Sequence, residues 1–177
     1  MPRRLRHFVT RHEVRSGTTL THLKSGLGGA IGIGAVGAAA ALTHEPFLIA
    51  PFGASAVLLF GHPASPLAQP ANVIGGYLVA TLVTLLALMF FPGAWVAAAA
   101  GVGVAIALMS MLRITHPPAG AIPILAATST IQGGTLLGVV LGGSIGLVGV
   151  ASLHHWLPPR HEYPKRPPLP VKDTAEP

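Results

Sequence analysis

Thr115-His116-Pro117-Pro118-Ala119-Gly120-Ala121 is a polar, proline-rich break in a region that is otherwise almost free of charge. Between residues 25 and 153 the formally charged side chains are Glu45 and Arg113, and Arg113 lies three positions before His116. A long apolar region with so little charge predicts membrane spans. A break in a membrane helix exposes backbone groups that lipid cannot satisfy, so it must be buried in protein or line a polar cavity. Function is therefore sought first at this break.

The composition of the 177-residue chain is typical of a membrane protein. The chain is 51% hydrophobic and 9% charged, with 22 glycines, whereas soluble domains carry about 25% charged residues. Small residues are abundant where membrane helices pack closely, because lipid supplies no hydrophobic drive for their association. The chain has no cysteine, which excludes disulfides, thiolate metal sites and cysteine nucleophiles. We expect an all-α, polytopic helix bundle in the lipid bilayer.

Hydrophobic segments of two lengths are present. Four have the length of a full membrane span, namely residues 25–43, 71–91, 94–112 and 132–153. Two are short for an upright crossing, Phe47 to Phe60 and Pro117 to Ala127. Each short segment is predicted to be a re-entrant half-helix or one part of a broken crossing. The working fold is therefore four full spans plus two half-helical segments.

Basic residues at both ends of the chain indicate its orientation. A basic leader, residues 1–24, and an exposed Pro-rich tail, residues 154–177, flank the membrane domain, residues 25–153. These flanks hold all of the 11 lysines and arginines except Arg113. The positive-inside rule predicts that both termini are cytoplasmic. Nucleic-acid binding is not expected, because the charge flanks membrane spans and lacks a binding fold.

The membrane domain contains a predicted internal repeat, with units of about 25–91 and 92–153. Under a shift of 67 residues, Pro51-x-Gly53-Ala54 falls on Pro118-x-Gly120-Ala121, and Gly75-Gly76 falls on Gly142-Gly143. Each unit would comprise a long, a short and a long helix. Transporters and channels with such duplications place their site at the repeat interface and build it from discontinuous helices.

Two topologies remain open at this point. If the short segments re-enter, there are four crossings and the two halves run parallel. If they cross, there are six crossings and the halves are inverted. Both topologies place the two termini on one side. Arg113 would be cytoplasmic in the six-crossing topology, which the positive-inside rule favours.

The break has the composition of an anion-attracting site. Thr115 or His116 can cap a helix whose first turn contains prolines. The N-terminus of such a helix carries a partial positive charge and free N–H groups, His116 can become cationic, and Arg113 adds a permanent charge. The alternative is a rigid break in which His116 bonds backbone carbonyls. The candidate substrate-binding residues here are Thr115, His116, Pro117, Pro118, Gly120 and Arg113.

The repeat counterpart supplies a second half-site, with Pro51, Gly53 and Ser55 as candidate substrate-binding residues. Ile49 stands where the other half has His116, so the two half-sites are not chemically equivalent. Ser55 offers a hydroxyl group to a solute. The alternative for Gly53 is close helix packing.

No enzymatic, metal or cofactor site is expected. The membrane region offers one carboxylate and no set of nucleophile, base and carboxylate. His44, His62, His116 and Glu45 show no ligand spacing on one helix.

Glycines recur every four residues along the last predicted span, at Gly134, Gly138, Gly142 and Gly146. This small-xxx-small pattern predicts a smooth ridge for close helix packing, either between the repeats or between protomers. A chain of this size is expected to work as a homo-oligomer.

The sequence resembles the HPP family of integral membrane proteins, named for a His-Pro-Pro motif. The matching motifs are the break at 115–121, Ala50-Pro51-Phe52-Gly53-Ala54-Ser55 with its continuation to residue 61, and residues 65–76, which end in Asn72-Val73-Ile74-Gly75-Gly76. The resemblance covers about residues 20–155. It implies a multi-pass bacterial membrane protein, usually described with four spans and taken to be a transporter. Relatives in plastids and cyanobacteria are associated with nitrite transport.

The leading functional hypothesis is a channel or secondary transporter for a small solute, an inorganic anion such as nitrite. Its path would lie between the repeats and pass His116. The alternative, from another class, is a non-transporting membrane scaffold or accessory subunit. A polar cavity that reaches His116 would favour transport, and a sealed break would favour the scaffold.

Overall fold

The computed structural model describes residues 17–92, 95–131 and 133–166. Most of the predicted basic leader and the end of the predicted tail lie outside the described residues. Within the described ranges the regular structure is helical and contains no strand. The predicted all-α class is therefore confirmed.

Six α-helices make up the described part of the chain: α1 Thr19–Thr43, α2 Ala50–Ala56, α3 Pro70–Phe90, α4 Trp95–Met111, α5 Ile122–Thr128 and α6 Gly133–Trp156. A π-helical turn continues α2 over Val57–Gly61. Two 3₁₀ turns, Pro66–Ala68 and Pro117–Ala121, lie before α3 and α5. The long and short elements therefore occur in the predicted order.

Three of these helices, α1, α3 and α6, are long and apolar enough to cross a membrane. The third predicted span, residues 94–112, forms α4, which is apolar and has 17 described residues. At roughly 1.5 Å per residue, α4 is about 25 Å long, shorter than the hydrocarbon core of about 30 Å. Helix α4 ends at Met111, and Arg113 beyond it adopts a left-handed backbone with φ of 57°. The described chain thus has three helices of spanning length where four full spans were predicted.

The first short segment connects the two ends of the bundle. We define the terminal end as the end where α1 begins and α6 finishes. Phe47 packs against Gly142, since a Cβ placed on that glycine would lie 3.1 Å from the Phe47 ring. Phe60 instead packs against His154, with ring centroids 5.3 Å apart, close to the end of α6. The chain from Phe47 to Phe60 therefore runs antiparallel to α1 and reaches the terminal end.

The second short segment runs in the opposite direction. Helix α4 packs antiparallel to α3, because Gly76 lies beside Met109 and Gly101 lies beside Ala87. This arrangement brings the end of α4 back to the terminal end. From there the chain turns inward, and Pro123 packs against Gly101, halfway along α4.

The described chain therefore passes six times between the two ends of the bundle, which favours the broken-crossing interpretation of the short segments over the re-entrant one. Extended linkers explain how such short helices can pass between the two ends of the bundle. Residues 45–49 and 114–116 are not helical, and a non-helical residue spans up to about 3.3 Å, against about 1.5 Å in a helix. These linkers extend each short helix into a broken traverse.

Beyond α6, the first part of the predicted tail is exposed except at Tyr163, and it folds back on the terminal end. Lys24 donates through Nζ to the carbonyls of Leu157 and Pro159, both at 2.6 Å. Tyr163 is buried, and its hydroxyl donates to the Ala68 carbonyl at 3.0 Å. Burial raises the pKa of the Tyr163 phenol, so the hydroxyl remains a neutral donor. The tail thus holds the loop between the π turn and α3 against α1 and α6.

Replacement of Gly143 by Ala tests the close packing of α6 on the first short segment. A Cβ at Gly143 would overlap the ring of Phe52, which is fully buried. We expect Gly143→Ala to lower the free energy of unfolding by about 1–3 kcal/mol, as overpacking does. Thermal unfolding in detergent measures the effect. The matched control is Gly146→Ala, where an added Cβ meets nothing within 4 Å; equal stability of the two variants would contradict the packing.

Candidate functional site

The two predicted half-sites meet in a buried hydrogen bond. Ser55 Oγ lies 2.7 Å from His116 Nε2, and both side chains are fully buried. The same Ser55 oxygen lies 2.7 Å from the hydroxyl of Tyr77. The other ring nitrogen of His116, Nδ1, lies 2.8 Å from the carbonyl oxygen of Leu67. One side chain from each half of the sequence thus joins a network centred on His116.

Close backbone approach places His116 in this network. The residue precedes the 3₁₀ turn and lies against α3 at Gly76, where a Cβ would be only 2.7 Å from the Cβ of His116. A side chain at Gly76 would therefore push His116 away from Ser55. On the adjacent turn, the amide of Asn72 donates to the Thr115 carbonyl at 3.1 Å. This bond satisfies a backbone acceptor that the helix break leaves free.

The hydrogen bonds around His116 have a defined direction. The Leu67 carbonyl can only accept, so Nδ1 of His116 carries the hydrogen. In a neutral imidazole Nε2 is then an acceptor, and Ser55 must donate to it. The Ser55 oxygen accepts in turn from the hydroxyl of Tyr77. The chain runs from Tyr77 through Ser55 and His116 to Leu67, and it is satisfied only while His116 is neutral.

The surroundings of His116 are uncharged. The ring of Tyr77 packs edge-on at 5.1 Å between centroids, and Phe52 packs on Tyr77 at 5.5 Å. Among the described residues the hydrogen-bond partners of His116 are a hydroxyl and a carbonyl, with no carboxylate or cation. The site is polar, neutral and closed to solvent.

The capping role predicted for the break is not what the structure shows. His116 occupies the N-cap position of the 3₁₀ turn, but its side chain makes no capping bond. Its backbone carbonyl accepts the N–H of Ala119 at 3.0 Å, and the Thr115 carbonyl is used by Asn72. The imidazole is engaged in tertiary hydrogen bonds instead, one of them to a backbone carbonyl, as the alternative interpretation expected.

The remaining candidate residues are not gathered around His116. Arg113 is exposed at the terminal end and is not a direct partner of the ring, whose two nitrogens are occupied. Gly53 is exposed and lines a shallow groove between α1 and α2. Pro117 is exposed, whereas Pro51 and Pro118 are buried. Gly120 is partly buried, and a Cβ there would meet nothing within 4 Å.

Two larger cavities lie at the terminal end and do not include His116. One, of about 690 Å³, is bordered by His155, Trp156 and Arg160 among others. The other, of about 500 Å³, is bordered by the first turns of α1 and by the loop that contains Ser65. Neither reaches Ser55 or Tyr77.

Sequence reasoning missed the contribution of α3 to the site. Tyr77, Thr81 and Thr84 are buried at successive turns of this helix. Thr84 donates to the Ala80 carbonyl at 2.6 Å, whereas the hydroxyl of Thr81 has no hydrogen-bond partner among the described residues. The signal was present in the sequence, because polar residues at spacings of four and three mark one helical face of an otherwise apolar span.

Comparisons with known proteins place the chain among membrane proteins. A family model described as "HPP, transmembrane region" matches residues 15–164. Two transmembrane proteins of Dictyostelium discoideum are similar to the chain. One is 41% identical over 90 residues, which cover 49% of this chain and 29% of that protein; the other is 39% identical over 89 residues, which cover 48% and 31%. The matches thus span about a third of these relatives. No solved structure matches.

Removal of single hydroxyls tests the hydrogen-bond chain. Ser55→Ala would leave Nε2 of His116 and the hydroxyl of Tyr77 without a buried partner, and we expect a loss of about 1–3 kcal/mol in unfolding free energy. Tyr77→Phe removes one terminal donor and should cost about 1 kcal/mol. Unfolding in detergent gives the ranking. In the control, Ser152→Ala, the lost hydroxyl bonds only the Val148 carbonyl of its own helix; a Ser55→Ala loss no larger than that of the control would refute the network.

Proposed function

The chain belongs to the HPP transmembrane family, and on that premise we propose that it is a channel or secondary transporter for a small solute, an inorganic anion such as nitrite. The observation that carries the proposal is the buried polar face of α3. Tyr77, Thr81 and Thr84 follow one another from the His116 network towards the end of the bundle opposite the terminal end. Buried polar groups are costly inside a membrane and tend to mark solute paths.

The unpartnered hydroxyl of Thr81 strengthens this interpretation. A buried hydroxyl without a partner costs free energy and calls for an explanation such as a water or a solute. Thr81 lies one turn beyond Tyr77 on α3 and is fully buried. A solute that enters between the helices would find a free donor there, next to the hydroxyl of Tyr77.

We further propose that the two halves form an inverted repeat with six crossings. Equivalent contacts support the repeat. A Cβ on Gly75 would lie 3.1 Å from the Ile114 side chain, and a Cβ on Gly142 would lie 3.1 Å from Phe47. The shift of 67 residues maps Gly75 onto Gly142 and Phe47 onto Ile114, so the two contacts are equivalent. Helix α4 packs on α3 as α1 packs on α6, which is the arrangement expected of an inverted pair.

In this proposal the bond between Ser55 and His116 closes the passage. It joins the two broken traverses, so a transport cycle must separate them while one side of the path opens. Ser55 and His116 would then contact the solute. Arg113, exposed at the terminal end, would attract anions to the entrance, and the prolines and Gly120 would maintain the break.

Charge distribution supports a cytoplasmic location for the terminal end. The described basic residues Lys24, Arg113, Arg160, Lys165 and Arg166 all lie there or in the tail folded onto it. The connections at the opposite end carry none in their described parts. We place the protein in a bacterial inner membrane with both termini inside. The exposed glycines of α6, such as Gly138, offer a smooth face for a homo-oligomer.

The scaffold alternative is favoured by closure of the break, since neither of the two larger cavities reaches His116. His116 is fully buried and both its ring nitrogens have partners. A permanent bond of this kind would hold the helix break in place without any solute. The two functions differ in whether the network opens, which transport measurements decide.

Uptake into proteoliposomes tests the transport function. We expect vesicles with wild-type protein to take up nitrite, nitrate or formate faster than empty vesicles. The uptake rate with His116→Ala should be lower by a factor of about ten or more, which corresponds to roughly 1.4 kcal/mol in barrier height. The control is His22→Ala, because His22 is exposed on α1. Wild-type rates equal to empty vesicles for all three anions would overturn transport in favour of the scaffold.

Single-cysteine labelling tests the topology, and the chain has no native cysteine to remove. Ala64→Cys and Leu112→Cys lie at the terminal end, in exposed positions. We expect a membrane-impermeant maleimide to label both only after the cells are permeabilised. Phe91→Cys, at the opposite end and about half exposed, should react in intact cells. Labelling of Ala64→Cys or Leu112→Cys from outside would contradict six crossings with a cytoplasmic terminal end.

A further inference from the structure

We propose that the His116 site binds one proton together with each anion, so that the protein is an electroneutral proton–anion symporter. This inference rests on the proposed transport function. It names the coupling ion, and it follows from the charge balance of the buried network.

No compensating charge lies beside His116 among the described residues. Around His116, α2 contributes Ser55, α3 contributes Gly76 and Tyr77, and the loop before α3 contributes the Leu67 carbonyl. From α4, Met109 lies at the same level, beside Gly76. The one other titratable group among these is the neutral phenol of Tyr77. A lone charge in such a closed site costs several kcal/mol, so neither an imidazolium nor a bare anion is stable there alone.

One atom of His116, Nε2, can take up the proton. Nδ1 of His116 already carries a hydrogen and donates it to Leu67, so Nε2 holds the one basic lone pair. A hydronium ion would transfer a proton to Nε2: an N–H bond forms, one O–H bond of the hydronium breaks to leave water, and the neutral ring becomes imidazolium. Ser55 must then cease to donate to Nε2 and turn its own hydrogen elsewhere.

Protonation of His116 also reorients the neighbouring hydroxyl groups. While His116 is neutral, the hydrogens of Tyr77 and Ser55 all point along the chain towards it. Once Ser55 reverses towards Tyr77, the hydroxyl hydrogen of Tyr77 loses its acceptor. Thr81, one turn away, has a hydroxyl without a partner in the closed state. Protonation therefore presents two free donors and one positive charge on the same side of α3.

A monovalent anion with oxygen acceptors complements this arrangement. Its negative charge balances the imidazolium, and its oxygens accept from Tyr77 and Thr81. The pair enters as a neutral unit, which the low-polarity site tolerates far better than either ion. The expected stoichiometry is one proton per monovalent anion.

The terminal end is the side of the bundle where water comes nearest to the His116 ring, on its Nδ1 side. Leu67 belongs to the loop between the π turn and α3, and it is only partly buried. The same loop borders the cavity of about 500 Å³ through Pro63 and Ser65. His116 therefore lies one hydrogen bond beneath a loop that water reaches.

Nitrate uptake into proteoliposomes distinguishes the driving forces. Nitric acid is fully ionised, so nitrate does not leak through lipid as a neutral acid. We expect a gradient of one pH unit, acid outside, to raise accumulated nitrate about tenfold, because one pH unit is worth a factor of ten for one coupled proton. A potassium diffusion potential of either sign should leave accumulation unchanged. If the protein discriminates against nitrate, initial rates with nitrite, corrected with empty vesicles at each pH, give the same comparison.

The outcomes separate this inference from the transport proposal. Uptake that follows the membrane potential and ignores the pH gradient would overturn symport and leave transport intact. Wild-type vesicles that behave as empty ones would overturn both. His116→Gln keeps a hydrogen-bonding side chain that cannot take up a proton, and we expect it to abolish the response to the pH gradient. The control is His44→Asn, because His44 is exposed at the opposite end of the bundle and Asn tolerates its left-handed backbone. A His116→Gln variant that still accumulates nitrate with the pH gradient would remove His116 from the coupling.

Discussion

This structure depends on one constraint: polar groups that water cannot reach must find hydrogen-bond partners within the protein. The chain breaks its helices twice inside an apolar bundle, and every break frees backbone groups that lipid cannot bind. At the second break the protein supplies partners itself, since Asn72 binds the Thr115 carbonyl and the Ala119 N–H binds the His116 carbonyl. The His116 ring then connects the two broken traverses through Ser55 and Leu67. The break is therefore both a structural problem and the place where the two halves of the chain meet.

Glycine packing makes that meeting possible. The broken traverses can lie between long helices only if those helices present no side chain at the contact. Gly76 admits His116, and Gly143 admits Phe52, at distances that a Cβ would not allow. The two glycines are 67 positions apart in the sequence, and each accommodates a side chain from a broken traverse. Membrane helices gain little from hydrophobic burial against lipid, so contact of this closeness is what stabilises the bundle.

The resulting site is closed to solvent, and all of its hydrogen bonds are satisfied only when His116 is neutral. Its hydrogen bonds point in one direction, and each polar atom of His116 has a partner. A site of this kind resists single ions and tolerates neutral pairs. The polar face of α3 continues beyond it through Thr81, whose buried hydroxyl has no hydrogen-bond partner among the described residues. Under the proposed transport function, the closed network corresponds to the shut state of a passage along this face.

Local sequence patterns were enough to predict the class of the protein and the order of its long and short helices, and they selected His116 and Ser55 as candidate site residues. Apolar run length and proline positions act locally, so they can be recognised without a fold, and the resemblance to the HPP family is confirmed by the match over residues 15–164. The packing of the helices was needed to show that the short segments pass between the two ends of the bundle, that Tyr77 completes the network, and that the tail docks on the terminal end. The reason is physical: Ser55 and His116 are 61 residues apart, and a bond over that separation depends on how helices pack, which no local pattern encodes.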